Sequence, residues 1–331
     1  MIAEKASGSY TDIRIPGIVA TQWGTLLRYC ECRRSASDWA HIDIKLSRSE
    51  DEGKSWETVL CIAGDGNTLN NPVMTVDGEK LIFLWCKNYK EIWQQVSTDD
   101  GRSFSEARRV DFEDSADFPY HVVAVGPGHG IVHDGRLIVP VWFACNDEKP
   151  KSHRPSFIST LYSDNHGENW RLGEIICRDA LDNPSECALA VTAENEILIS
   201  IRHEGETKCR GLAKSRDGIS AWREFRFAQT LADPVCMGSM THRAGTVLHI
   251  NCDSPSERKN LTVKISRDGF AHFRSIAISE MAGYADLALV GNTLFVFHEK
   301  KNTEGAFELH FERFELPEEL FTPVNGAQEQ E

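Results

Sequence analysis

Five side chains stand where the surrounding pattern calls for another hydrophobe. Arg14 breaks the run Ile13-x-Ile15-Pro16, Arg202 ends Ile197 to Ile201, and Arg258 lies just ahead of Leu261-Thr262-Val263. Glu186 opens the apolar run Cys187 to Val191, and Tyr284 precedes Ala285-Asp286-Leu287-Ala288-Leu289. A sixth residue, Asp38, sits in the polar loop from Arg33 to Ala40, just before the alternating run His41 to Leu46. The chemistry open to this set is anion binding by the arginines and proton transfer at the carboxylates and the phenol. With a net charge of −14, the chain repels anions at long range, so an anionic substrate needs a local arginine cluster. Taken singly, each residue reads as a solvated strand end or an ordinary ion pair. Function requires that they converge.

The elements that position them announce themselves through a turn. Ser49-x-Asp51-x-Gly53-x-x-Trp56 closes the strand that follows Asp38. Asp and Ser bond nearby backbone N–H groups, Gly supplies the positive φ, and the aromatic pins the turn to the apolar layer. The pattern recurs from Ser97 to Phe104 and, with Asn165 for Asp, from Ser163 to Trp170; from Ser215 to Trp222 and from Ser266 to Phe273 the Gly comes one position early. Between the turns lie β-branched and aromatic runs such as Lys80 to Trp85, Arg136 to Val141, Ile197 to Ile201, Thr246 to Ile250 and Thr293 to Phe297. A repeat near 50 residues made of short strands indicates a β-propeller. Five turns and a terminal repeat give six blades over 1–322, followed by a polar tail at 323–331. The last blade, near Phe307 to Leu316, is expected to close with a strand from the N-terminal segment. Only Pro317 to Leu320 suggests a helical turn, and a pair of β-sandwiches is the rival architecture. On inner strands of a propeller, residues far apart in sequence meet at one end of the axis.

At 41% hydrophobic residues the chain has material for a real core. The acidic balance disfavours nucleic acid and anionic membranes as partners. The N-terminal residues show no apolar signal-peptide region and no run is long enough to span a membrane, which points to the cytoplasm. The ten cysteines lie mostly in apolar runs and read as reduced core residues. Cys30-x-Cys32 is too tight for a zinc or redox pair. Gly126-x-Gly128-x-Gly130 lacks the Lys-Ser/Thr of a phosphate loop and reads as structural. His129 and His133 run into a strand rather than a helix, so they make no helical metal pair. No motif calls for a metal or a cofactor. Asp43 reads as a structural ion-pair partner.

The chain resembles the exo-α-sialidases (neuraminidases) over nearly its whole length. Arg14-Ile15-Pro16 looks like that family's opening Arg-Ile-Pro, the eight-residue turns look like its Asp boxes, and Gly126 to Gly130 with Gly135 to Pro140 is similar to a further family stretch. The resemblance implies a six-bladed β-propeller hydrolase acting on a sialylated glycan or another nonulosonic-acid glycan. It casts Arg14, Arg202 and Arg258 as the triad that binds the substrate carboxylate, whose planar geometry suits guanidinium forks. It casts Tyr284 as nucleophile, Glu186 as its base and Asp38 as acid/base; sialidases are a named exception to the two-carboxylate scheme of glycosidases. A neutral phenol avoids pushing a carboxylate toward a carbon that already bears one, and a pKa near 10 makes the adjacent base necessary. Arg33, or Arg34 one residue on, matches an arginine near the sugar O4. Asn71 falls where some members carry Asp, which opens Kdn or Kdo as alternative sugars. The segment that helps build the N-acyl pocket is short here, so either Trp93 fills that pocket or it is reduced. A transferase and a non-catalytic glycan-binding propeller are further rivals; the latter needs the arginines but not Asp38, Glu186 and Tyr284 together.

Overall fold

All five repeated turns form, each by the same bonds. The hydroxyls of Ser49, Ser97, Ser163, Ser215 and Ser266 accept backbone N–H groups from Gly53, Gly101, Gly167, Gly218 and Phe270 at 2.9–3.0 Å. Each hydroxyl donates in turn to Asp51, Asp99, Asn165, Asp217 or Asp268 at 2.8–2.9 Å. At Gly53, φ is 81° and an added Cβ would fall 2.2 Å from the Phe311 ring, so this turn admits only glycine.

Each turn joins the third and fourth strands of a blade's four antiparallel strands; the sheets of blades 2 and 3 are extended by short strands, Gly128–His129 parallel to the first strand of blade 2 and Phe112–Glu113 parallel to the fourth strand of blade 3. The computed structural model describes residues 2–113, 118–148, 152–176, 179–302 and 305–322. Six sheets arise in chain order. Blade 1 comprises Asp12–Ala20, Leu26–Arg33, Ile42–Ser49 and Glu57–Ile62. Blade 2 comprises Leu69–Asp77, Lys80–Lys87, Glu91–Ser97 and Arg108–Val110. Blade 3 is built on Val122–Val125, Arg136–Ala144, Ser156–Ser163 and Trp170–Leu172. Blade 4 holds Cys187–Val191, Ile197–Ile201, Cys209–Ser215 and Arg223–Ala232. Blade 5 holds Ser239–Arg243, Thr246–Cys252, Lys259–Ser266 and Arg274–Met281. Blade 6 takes Ala285–Val290, Thr293–Lys301 and Phe307–Glu315, and Ile2–Glu4 completes it antiparallel to Phe307–Glu315. The expected N-terminal closure is therefore present and covers an open sheet edge. The expected helical turn is a 3-10 turn at Glu318–Leu320. The expected polar tail lies outside the described residues.

Neighbouring blades meet through their first strands around the axis. The core lies between blades, as in the cluster where Leu27, Tyr29 and Leu46 of blade 1 meet Met74, Phe83 and Trp85 of blade 2. Burying such a side chain contributes about 1.5–3 kcal/mol. Of the nine cysteines among the described residues, seven are buried, as the apolar context predicts. Asp43 accepts hydrogen bonds from Tyr10 (2.5 Å) and the Gly64 N–H (2.6 Å), a structural role. No helix among the described residues is long and apolar enough to cross a membrane.

Candidate active site

Strand direction decides where the singled-out residues go. Glu186 and Tyr284 immediately precede the first strands of blades 4 and 6, and Arg202 follows the second strand of blade 4. Asp38 lies between the second and third strands of blade 1, and Arg258 just before the third strand of blade 5. In up-and-down sheets all of these positions fall at the same end of the propeller. Arg14 reaches that end from inside its strand, through a bulge. The pairing of Asp12–Ala20 with Leu26–Arg33 slips between Arg14 and Gly17, and bulges re-aim side chains. Ile15, within the bulge, adopts φ 57°, costly for a β-branched residue and tolerated where surroundings enforce it. Gly17 follows because an added Cβ would lie 1.9 Å from the Tyr29 ring. Blade 2 repeats the device: its register slips between Asn70 and Val73, with Asn71 at φ 53°.

Two buried glutamates enforce these bulges, and sequence reading missed both. Glu299, wholly buried in blade 6, accepts Arg14 Nε at 2.6 Å and Nη2 at 3.2 Å, the Ile15 N–H at 3.1 Å and the Tyr284 N–H at 2.9 Å. Burial works to raise its pKa, but Arg14 and the two N–H groups outweigh it and hold the carboxyl below its ordinary value. Glu31 accepts Arg33 Nη2 at 2.6 Å and the Asn71 N–H at 2.8 Å. Glu31 stands between Cys30 and Cys32, and Glu299 follows the apolar run Leu294 to Phe297 after His298, so each carries a weaker form of the signal that exposed Arg14.

At the centre, the Tyr284 hydroxyl donates to Glu186 Oε1 at 2.7 Å and accepts from Arg202 Nη1 at 2.7 Å; Arg202 also pairs with Glu186 Oε2. The guanidinium carbons of Arg258 and Arg14 stand 5.3 and 5.8 Å from the Tyr284 ring centroid. Three arginines spread over blades 1, 4 and 5 thus surround one phenol. Burial pushes the Tyr284 pKa well above that of a free phenol, aided by Glu186 and opposed by Arg202 and Arg258. The resting phenol is neutral. Wholly buried Cys236 lies against Arg258 and Arg202; burial raises its thiol pKa, but the Cys252 hydrogen bond and the two arginines pull it below the usual range.

Arg33, not Arg34, belongs to the site. Its guanidinium is 1% exposed and donates to Asp38 Oδ1 at 2.7 Å, whereas Arg34 lies outward, near Asp43 and the Tyr10 ring. Burial works to raise the Asp38 pKa, but Arg33, Arg14 and His153 together keep it below its ordinary value. Asn71 has both ends of its amide engaged: Nδ2 donates to the Val125 carbonyl at 3.1 Å, and Oδ1 accepts from Asn70 Nδ2 at 3.1 Å. Arg33, Asp38, Asn71, Glu186, Arg202 and Tyr284 line a single cavity of about 370 Å³. Trp93 is not among its lining residues. It packs with the cluster between blades 1 and 2, its N–H donating to Glu91 at 3.0 Å. The aromatic wall is instead Trp39, Tyr89, Trp142 and His153, with ring centroids 4.6–6.1 Å apart; loop-borne Trp39 and His153 gave no sequence signal. Among the described residues no cluster of three or more His, Cys, Asp or Glu is arranged to hold a metal ion.

Residues 24–295 match the family model described as the BNR repeat-like domain. The chain belongs to that family. A curated relative, a sialidase of Bacteroides fragilis (strain YCH46), is 26% identical over 299 residues, 77% of this chain and 53% of its own length. A second, a sialidase of Paraclostridium sordellii, is 24% identical over 241 residues, 64% of this chain and 57% of its own. This BNR repeat-like chain spans about half the length of the curated relatives it matches. Among solved structures, a Hadza microbial sialidase superposes with TM-score 0.78 and 24% identity, covering 92% of this chain and 66% of the other. At that identity the likeness establishes the six-bladed fold.

Proposed function

We propose that this chain is an exo-acting glycoside hydrolase that releases terminal α-linked sialic acid with retention at the anomeric carbon. One observation carries the reading: the Tyr284 hydroxyl sits 2.7 Å from both Glu186 Oε1 and Arg202 Nη1, with Arg258 and Arg14 beside the same ring. Binding a sialic acid carboxylate among the three guanidinium groups places the anomeric carbon against the phenol. Tyr284 passes its proton to Glu186 and attacks that carbon, while Asp38 protonates the departing oxygen. In the second half, Asp38 deprotonates water, the water displaces Tyr284, and Glu186 returns the proton to the phenol. Burial works against them, but Arg33, Arg14 and His153 hold the Asp38 pKa low through their positive field. A bound carboxylate offsets part of that positive field, which moves the Asp38 pKa up toward a working acid.

Both curated relatives reported above are named sialidases. Asn71 favours a second reading, a related acid such as Kdn or Kdo that lacks the acylamino group, because its amide already bonds the Val125 carbonyl and Asn70 and brings no carboxylate to the cavity. The test is a panel of fluorogenic ketosides of N-acetylneuraminic acid, Kdn and Kdo, with the product's anomeric form followed by NMR. Release of the β-anomer first, or tight binding without turnover, would remove the mechanism; transfer to an added acceptor sugar would mark a transferase. Tyr284→Phe should lower kcat by at least about 10³-fold, the order at which removing an essential nucleophile acts, while the fold survives.

A further inference from the structure

Arg14 and Arg202 each meet a glutamate, Glu299 and Glu186, but among the described residues Arg258 pairs with no carboxylate. A guanidinium packed against a buried phenol still needs an anionic neighbour, because charge taken out of water is otherwise costly. The group that lies against it is Cys236. Cys236 follows the last strand of blade 4 and stands just ahead of the first strand of blade 5, the place that Glu186 and Tyr284 occupy in blades 4 and 6. It is wholly buried, in one cluster with Cys252 and Tyr284. Its backbone is fixed at both ends: the N–H donates to Asp233 Oδ1 at 2.8 Å, and the carbonyl accepts Arg210 Nη1 at 2.8 Å. Arg210, itself wholly buried, also donates to Asp233 Oδ2 at 3.0 Å and to the Glu186 carbonyl at 3.4 Å. A buried ion pair is weak evidence for stability; what this one fixes is the backbone that carries Cys236 and Glu186.

The sulfur has the surroundings of a thiolate. Burial opposes its ionisation, but the Cys252 hydrogen bond, Arg258 and Arg202 outweigh both burial and the charge of Asp233. Cys236 in turn is the main influence holding the Arg258 pKa up, with burial against it. The Cys252 thiol stays protonated, its hydrogen facing the Cys236 sulfur and the Gly283 carbonyl at 3.5 Å. Tyr284, the remaining ionisable neighbour, is neutral. We propose that Cys236 is a positioning residue of the carboxylate clamp, its sulfur seating Arg258 as Glu299 seats Arg14. The inference rests on the hydrolase reading above, in which the three arginines take a carboxylate. A glutamate in this place would engage the guanidinium fork in two bonds and compete with the substrate for it. A compact sulfur anion balances the charge without capping the fork, so Arg258 stays aimed and available.

The test measures Kd by titration calorimetry for two inert ligands, 2,3-dehydro-N-acetylneuraminic acid and its methyl ester. The ester keeps the sugar and removes the charge. Wild type should prefer the acid by roughly a hundredfold, and Cys236→Ser should narrow that preference by about tenfold, as expected for bonds to charged groups. The whole change should fall on the acid, with the ester Kd unmoved. Arg258→Met should narrow the preference at least as far, and adding Cys236→Ser to it should change nothing more, because the cysteine acts through that arginine. Thermal midpoints confirm the fold, and Cys236→Ala takes the place of the serine variant if a buried hydroxyl unfolds it. A cysteine variant that weakens both ligands equally, one that keeps the preference, or effects that add in the double variant overturn the proposal and leave the hydrolase reading standing. A wild type that binds neither ligand, or that ignores the charge, sinks that reading and this inference with it.

Discussion

Replacing Glu299 by Gln tests whether one buried carboxylate holds the seam on which the site depends. Its two oxygens take four donors: Arg14 twice, the Ile15 N–H and the Tyr284 N–H. An amide of the same shape turns one oxygen into a donor. Whichever way it flips, one Arg14 bond and one backbone N–H lose their partner. Charge-assisted bonds contribute about 1.5–3 kcal/mol, and an orphaned buried N–H costs about 1–3 kcal/mol. Breaking a buried ion pair on one side costs about 3–5 kcal/mol, a range consistent with that pair of losses. Unfolding entropy of about 2.1 cal/mol/K per residue converts this to a fall of roughly 4–7 °C in Tm. Arg14 should also lose its aim, so kcat/KM should fall by tenfold or more. The difference depends on pH with a defined sign. Glu299 has a folded pKa below its ordinary 4.5, so its stabilisation is complete above about pH 4.5 and lost as pH falls through the folded value. Urea unfolding at pH 7 and at pH 4, with Arg14→Met and the double variant completing a cycle, reads out all of it. A coupling below about 0.5 kcal/mol, or an unchanged Tm, would refute the reasoning.

Arg33→Met removes the cation 2.7 Å from Asp38 and leaves Glu31 unneutralised. Both changes raise the Asp38 pKa, so the falling alkaline limb of kcat/KM should move to higher pH; a shift downward would contradict Asp38 as the acid. Ser97→Ala leaves the buried Gly101 N–H without its acceptor and should cost about 1–3 kcal/mol in urea unfolding with activity retained. Gly17→Ala forces a Cβ into the Tyr29 ring, whose hydroxyl donates to the Gly128 carbonyl at 2.6 Å and accepts from the Met74 N–H at 3.0 Å. Overpacking there should cost about 1–3 kcal/mol and lower turnover through the neighbouring Arg14 bulge; unchanged kinetics would show that the bulge tolerates movement.

The repeated turns made the blade count legible because their hydrogen bonds are local and need no tertiary context. The arginines, Glu186 and Tyr284 stood out because a charge or phenol at the edge of a strand-like run breaks a simple alternation. Glu299 and Glu31 carry a weaker form of that mark, but their meaning depends on partners: Glu299 lies 285 positions from Arg14, and no spacing rule links them. The left-handed backbone at Ile15 left no trace in composition, since a β-branched residue disfavours it, and a single Asn at 71, a type that tolerates it, is too common to mark the second bulge. Trp39, Tyr89 and His153 meet Trp142, at the end of a blade 3 strand, only because loops of separate blades fold over one mouth. For that reason Trp93, an aromatic nearby in sequence, was an expectation that geometry replaced.

Blade 1 and blade 6 are bonded across the seam that closes the ring: Arg14 and Ile15 to Glu299, and the Ile18 N–H to Asp286 at 2.8 Å. Two sheets far apart in this sequence must therefore both be in place before Arg14 is aimed at the site. Once the circle is shut, a ligand gripped by arginines from both sides acts as a clasp, and at a hundred times its Kd it would secure the closed ring by about 2.7 kcal/mol.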